Sequence, residues 1–284
     1  MQTFGIARLI TSHLRPHPTP NSGSRAKGEV GQCVKRTAKW FDHAAETEEA
    51  ITSISYPATP LGCMGIVVSD TPKKRVNFFS GFPFTAVGVK KRLRISEIKD
   101  SGNEVEGELF CEMVDDGAMI GFFDSHFFVN RDKYKVGAEL DFELAGLIYE
   151  AHCTNDETIT ITDQATLEER YEVWSVKPER LPDGTLPPEI FHLAGMTGLV
   201  PNDKYTDDAE FYCVIDKISE FSLEGIRIFQ MTPRLEDGEG GKAPLPGVIY
   251  GAATNFKNGY VPKAGDSIGG MMWVQGFLSE SANK

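Results

Sequence analysis

Three groups of residues have types and spacings that could do chemistry. Asp124 and His126 fall two apart within FFDSHFF (122–128), so in an extended strand they share a face. A carboxylate that orients an imidazole is a general acid–base arrangement, which makes the two residues weak catalytic candidates. No third partner is apparent, and ordinary polar contacts at a strand end are the simpler account of the pair.

The second group is Gly265-Asp266-Ser267-Ile268-Gly269, which fits G-x-S-x-G, with Glu150 and His152 preceding it. A nucleophile elbow needs a strand before the serine and a helix after it. Here the strand-like MMWVQGF follows, and the last histidine of the chain is His192. The segment therefore reads as a turn that runs into a strand. The third group spans residues 73–94, KKRVNFFSGFPFTAVGVKKRLR, with Lys73, Lys74, Arg75, Lys90, Lys91, Arg92 and Arg94 around Phe78, Phe79, Phe82 and Phe84 and no acid among them. Bases beside aromatics can hold single-stranded nucleic acid through phosphate contacts and stacking. The same residues fit an acidic protein partner, or pair with the chain's own carboxylates.

Metal and cofactor chemistry find little support. His152 and Cys153 are adjacent, so a strand sends them to opposite faces, and no further Cys or His lies at zinc-site spacing. Asp115-Asp116-Gly117 lacks the remaining ligands of a calcium loop. Residues 237–242 (DGEGGK) lack the features of a phosphate loop and are flanked by acids. The expectation is no metal and no cofactor.

The elements that carry these residues must come from a chain of 284 residues with a net charge of −12, 40% hydrophobic and 25% charged, the profile of an ordinary globular protein. The charge is uneven. Residues 1–39 hold seven bases and one acid (Glu29), so the rest is more acidic than the total implies. A body that acidic repels nucleic acid and anionic membranes unless a local patch overrides it. Five widely spaced cysteines without a CxxC point to a reducing compartment. No apolar run is long enough for a transmembrane helix. A cytoplasmic location is expected, or the mitochondrial matrix if the Arg-, Ser- and Thr-bearing start is a transit peptide.

The pattern along the chain is mainly β and contains an apparent repeat. Ile95-Ser96-Glu97-Ile98, Val105-Glu106-Gly107, Met113 and Tyr134…Gly137 recur in order as Ile218-Ser219-Glu220-Phe221, Leu223-Glu224-Gly225, Met231 and Tyr260…Gly265. In this alignment Asp124 and His126 correspond to about Ala252 and Thr254, so the pair is not common to both copies. Residues 104–113 alternate with Val105, Gly107, Leu109, Cys111 and Met113 on one face. Leu140, Phe142, Leu144 and Ile148 again share parity. Gly107 and Gly225 read as bends inside strands, and Gly137 and Gly265 as turns before a closing strand.

The sequence thus predicts two related small OB-like β-barrel units produced by internal duplication. The expected parts are a basic flexible arm (1–36), a helix and turn (37–60), a first barrel (61–153), a helical and Pro-rich connector (154–208) with a helix over 162–171, and a second barrel (209–284). The corresponding function is a non-catalytic binding or adaptor protein, within a larger assembly and with a protein partner. Two alternatives are a single-stranded nucleic-acid binder using 73–94 only and an enzyme using Asp124 and His126.

Overall fold

The computed structural model describes residues 34–42, 47–56, 60–70, 75–102, 105–173, 178–202, 207–235 and 243–279. Residues 1–33 of the basic arm, Lys73 and Lys74, and the acidic stretch 236–242 lie outside them, whereas Val34, Lys35 and Arg36 open β1. The fold is mainly β. In chain order the strands are β1 (Val34–Asp42), β2 (Thr47–Tyr56), β3 (Leu61–Asp70), β4 (Arg75–Thr85), β5 (Val89–Asp100), β6 (Gly107–Met113), β7 (Met119–Asp124), β8 (Glu139–Cys153), β9 (Thr158–Ile161), β10 (Glu189–His192), β11 (Gly198–Pro201), β12 (Asp208–Leu223), β13 (Ile226–Pro233), β14 (Ile249–Ala252) and β15 (Ser267–Leu278). Among the described residues two α-helices accompany them, the single turn α1 (Phe127–Asn130) and α2 (Gln164–Val173).

Strands β1 to β4 form an antiparallel sheet in sequence order, and β9 pairs with β10. The remaining nine strands make one large mixed sheet in which additional pairings close two circuits. The first runs β5–β6–β7–β15–β8 and returns to β5. The second runs β12–β13–β14–β8–β15 and returns to β12. Both pass through the antiparallel pair β8–β15, and each has one parallel step, β7–β15 or β14–β8. One edge of β8 serves both circuits: β5 lies beside Glu139–Leu144, and β14 beside Gly146 and Leu147. Likewise β12 lies beside Ser267–Trp273 of β15, and β7 beside Gln275 and Gly276.

The main core fills these circuits, with Leu93, Leu109, Phe122, Phe142 and Leu144 in the first and Phe211, Ile215, Phe229, Ile249 and Met272 in the second. The alternation read in 105–113 is observed: Val105, Gly107, Leu109, Cys111 and Met113 are all buried. β8 follows its expected parity at Phe142, Leu144 and Ile148, yet Ala145 and Leu147 are buried as well. Their face meets a second apolar cluster with Leu61, Phe123, Tyr250 and Trp273. A strand covered on both faces loses its alternation.

Three expectations are corrected. Within 37–60, expected as a helix and turn, residues 37–42 belong to β1 and 47–56 form β2. Ile51, Ser53 and Ser55 alternate inward against Val68, Ile66 and Met64 of β3, so pairing overrides the helical propensity. The span 61–153 is not a single unit, because β3 and β4 belong to the four-stranded sheet and β15 completes the first circuit. Gly225 is not a bend inside a strand. With Glu224 it has positive φ (82° and 50°) in the tight β12–β13 turn, as two-residue hairpins require. The helix expected over 162–171 is α2, and Asp163 caps it by accepting the Thr166 amide at 2.8 Å.

Candidate functional site

Asp124 ends β7 and is buried, as are Ser125 and His126. Its carboxyl meets the backbone of His126, not the ring: Oδ1 accepts the His126 amide at 2.9 Å. Oδ2 accepts the Tyr134 hydroxyl. The imidazole Nδ1 lies 3.2 Å from the Ser125 hydroxyl, and the ring packs edge-on between Phe84 and Phe277. The bond from a carboxylate to the amide two residues on is an Asx turn, which starts α1. Burial pushes the Asp124 carboxyl up to about 7, outweighing both hydrogen bonds.

Ser267 is also engaged in structure. Its hydroxyl accepts the Gly195 amide at 2.9 Å and its own amide donates to Asn155 Oδ1 at 2.8 Å. Gly265 and Gly137 both turn with positive φ, 92° and 86°. The segment is the expected turn into a strand.

The basic and aromatic residues of 73–94 divide between two elements. Arg75 opens β4, whereas Lys90, Lys91, Arg92 and Arg94 lie on β5. Lys90 and Arg92 both reach Asp141, at 2.9 and 3.1 Å, and hold its carboxyl below the usual range. Arg94 bridges Glu112 and Glu139 at 3.1 and 2.9 Å. Strand pairing sets these contacts, since Arg92 faces Asp141 and Arg94 faces Glu139 across β5–β8. Lys91 also has interaction partners. Phe84 is buried and Phe82 packs at 5.0 Å against Phe123.

Phe78 and Phe79 behave differently. A bulge between Ile66 and Val67 of β3 sets Ser80 opposite Ile66 and Phe78 opposite Val67, leaving Phe79 as the extra residue. Phe78 is 72% exposed and Phe79 38%. A regular strand sends neighbours to opposite faces, and a bulge re-aims one of them. The Phe78 ring lies over two glycines: a Cβ on Gly81 would stand 2.9 Å from it, and one on Gly65 3.7 Å. Ile54 pairs beside Gly65, and Tyr56 (48% exposed) beside Cys63. Over the described part of β2 to β4, the outward face of the four-stranded sheet therefore carries Ile54, Tyr56 and Gly65 with two exposed phenylalanines. Its inward face is sealed by Ile51, Ile66, Val68, Val105 and Phe128.

A cavity of about 320 Å³ opens where β8 ends, lined by His152, Cys153, Glu157, Lys257, Asn258 and Tyr260. His152 and Cys153 thus border one hollow even though a strand separates their faces. His152 Nε2 lies 3.0 Å from Glu157, Lys257 pairs with Glu150 at 2.7 Å, and Tyr260 donates to Asp266. Among the described residues no group of three or more His, Cys, Asp or Glu is arranged to hold a metal ion.

Sequence reasoning missed Tyr134 as the partner of Asp124, the His152–Glu157 contact and the bond from Trp273 Nε1 to Asp207 (2.6 Å). The turn-forming run Thr154-Asn155-Asp156, which folds Glu157 back on His152, was the one available signal. No helix among the described residues is long and apolar enough to cross a membrane. Comparison with models of known protein families, with curated proteins and with solved structures finds nothing that matches this chain.

Proposed function

We propose that this chain is a non-catalytic binding protein, an adaptor or assembly subunit, that docks a protein partner on the outward face of its four-stranded sheet. The carrying observation is the bulged pair Phe78 and Phe79, both exposed, with the Phe78 ring over Gly65 and Gly81. Exposed aromatics on an apolar patch mark interaction surfaces, and aromatic anchors dominate binding energy there. Lys73, Lys74 and Arg75 precede the pair in sequence, so the fitting partner offers an apolar anchor with acidic neighbours. The groups suited to catalysis are otherwise occupied. Asp124 starts α1 and Ser267 ties Gly195 to β15.

The scaffold in this reading is a pair of related OB-like barrels produced by duplication. Several features support it. The first circuit has the strand order first-second-third-fifth-fourth, closed on itself, with the third and fifth parallel, which is the order of an OB barrel; in the second, β8, which precedes β12 in the chain, takes the fifth place. Each copy supplies four strands, and its fifth is the closing strand of the other. Registers correspond too: Val89↔Leu144 and Phe123↔Gln275 in one circuit match Ala209↔Met272 and Tyr250↔Leu147 in the other. In this correspondence Ile95 matches Ile215, three residues before the Ile218 that the sequence landmarks select.

OB barrels bind oligonucleotides on the face of the second and third strands. Here Phe82 covers Phe123, and Phe221 packs against Tyr250, which favours the sheet face and a protein partner. Sedimentation of the purified protein, alone and with a labelled single-stranded oligonucleotide, tests the choice. The reading expects no oligonucleotide binding at physiological salt and no self-association through Phe78. Salt-sensitive binding lost on Lys90→Glu would replace it with the nucleic-acid reading, and a dimer lost on Phe78→Asp would make the partner a second copy.

A further inference from the structure

The four-stranded sheet and the two circuits share no strand pairing among the described residues. The chain crosses between them once, over residues 86–88, from β4 into β5. That crossing is pinned at one point, since a Cβ on Gly88 would stand 2.7 Å from the Leu144 amide nitrogen of β8. Side-chain contacts therefore hold the sheet in its place.

Those contacts have an apolar part and two polar fasteners. Phe82 of β4 packs edge-on against Phe123 of β7 and Trp273 of β15, at 5.0 and 6.2 Å. Phe123 and Trp273 lie 5.1 Å apart and are buried. Val105 and Phe128 meet Ile51, Ile66 and Val68 of the sheet. The first fastener is Gln275 of β15, which is 1% exposed. Its amide nitrogen donates to the Pro83 carbonyl at 2.7 Å, and its amide oxygen accepts the Thr85 amide at 3.3 Å. Both groups belong to β4, the end strand of its sheet, so the glutamine amide serves β4 as a neighbouring strand does. The second fastener is the Ser80 hydroxyl of β4, which donates to the Glu106 carboxylate.

We propose that the four-stranded sheet is a lid over the aromatic pair Phe123 and Trp273, pivoting at residues 86–88 and latched by Gln275 and by Ser80 with Glu106. Lifting it uncovers Phe123 and Trp273 and breaks no strand pair, only side-chain packing and the two fasteners. A unit joined to the rest by one crossing and without shared backbone ladders opens at lower free energy than the whole molecule. Gln275 sits on the strand that β7, β8 and β12 all adjoin, so the latch is in place only when β15 has completed both circuits. The lid depends on the circuits, and the circuits close without the lid.

Hydrogen exchange of the whole protein, read at rising urea below its unfolding transition, tests this. In wild type the peptides of β3 and β4 should open at lower urea than 107–113 of the first circuit and 226–233 of the second. Gln275→Met keeps an unbranched side chain but loses the amide, leaving the Thr85 amide and the Pro83 carbonyl without that partner. Protection of β3 and β4 should then fall about tenfold, while 107–113 and 226–233 stay near wild type. Ser80→Ala, on the lid itself, should act in the same sense, and it carries the test should Gln275→Met fail to fold. Opening of β3 and β4 only together with both circuits, a loss spread equally over all segments, or unchanged protection in both variants would each overturn the proposal. The readout needs no partner, so its failure leaves the docking face untouched.

Discussion

Ile95 and Ile215 make the same pair of backbone hydrogen bonds in two places of the chain. Ile95 accepts from the Gly137 amide at 2.7 Å and donates to the Ala138 carbonyl at 2.9 Å. Ile215 accepts from the Gly265 amide at 2.8 Å and donates to the Asp266 carbonyl at 2.9 Å. A bulge follows each, at Ser96 and at Asp216. Both circuits thus clamp the turn into their closing strand by one device, which fixes where β8 and β15 begin and so the register of the seam they share.

That seam predicts an unequal response at two glycines. A Cβ on Gly270 would stand 2.0 Å from the Glu150 carbonyl oxygen, at φ 156°, whereas Gly198 has nothing within 4 Å. Gly270→Ala should cost about 3 kcal/mol, the upper end of overpacking, and lower Tm by roughly 10 °C. Gly198→Ala should change stability by about 0.5 kcal/mol at most. Equal melting temperatures for the two variants would contradict the close approach of β15 to β8.

Trp273 should report the titration of Asp207. Its indole donates to Asp207 at 2.6 Å, and burial, then Glu108, pushes that carboxyl up to about 6. Trp273 fluorescence should therefore shift with a midpoint near pH 6, and the transition should vanish in Asp207→Asn. A transition that survives in Trp273→Phe would belong to another tryptophan and defeat the assignment.

Global stability should fall as pH rises from about 4 to 7. Asp124 and Asp207 are both raised, so their contribution is complete below the unfolded value and lost through the folded one. For Asp124 the shift is worth up to about 4 kcal/mol. Asp141, lowered by Lys90 and Arg92, and Asp163 and Asp183, lowered by their own turn hydrogen bonds, act in the opposite sense, but at the solvent surface, where screening weakens them. Urea denaturation at about pH 5 and pH 8 should show the higher midpoint at the lower pH, with the gap reduced in Asp124→Asn. A higher midpoint at the upper pH contradicts the account.

Much of the fold was legible where one strand reports its own environment. The alternation from Val105 to Met113 and the turns at Gly137 and Gly265 are local patterns with local causes. Partner choice is not local. Nothing in 139–153 shows that Glu139–Leu144 lies beside β5 while Gly146 and Leu147 lie beside β14. β1 and β2 were misread because the Ala and Glu of 44–50 favour helix, and only pairing with β3 decides otherwise. At the candidate site the exposed phenylalanines were singled out with the bases around them. Their bulge depends on β3, and the bases at Lys90, Arg92 and Arg94 meet carboxylates that pairing alone brings opposite.

The outward sheet face is tested most directly by quantitative affinity capture from native extract, comparing wild type with Phe78→Asp and with Ile190→Ser as an exposed control elsewhere. The account predicts one stoichiometric partner retained by wild type and Ile190→Ser and lost from Phe78→Asp, whose melting temperature should match wild type because Phe78 is 72% exposed. A partner held equally by Phe78→Asp would contradict it.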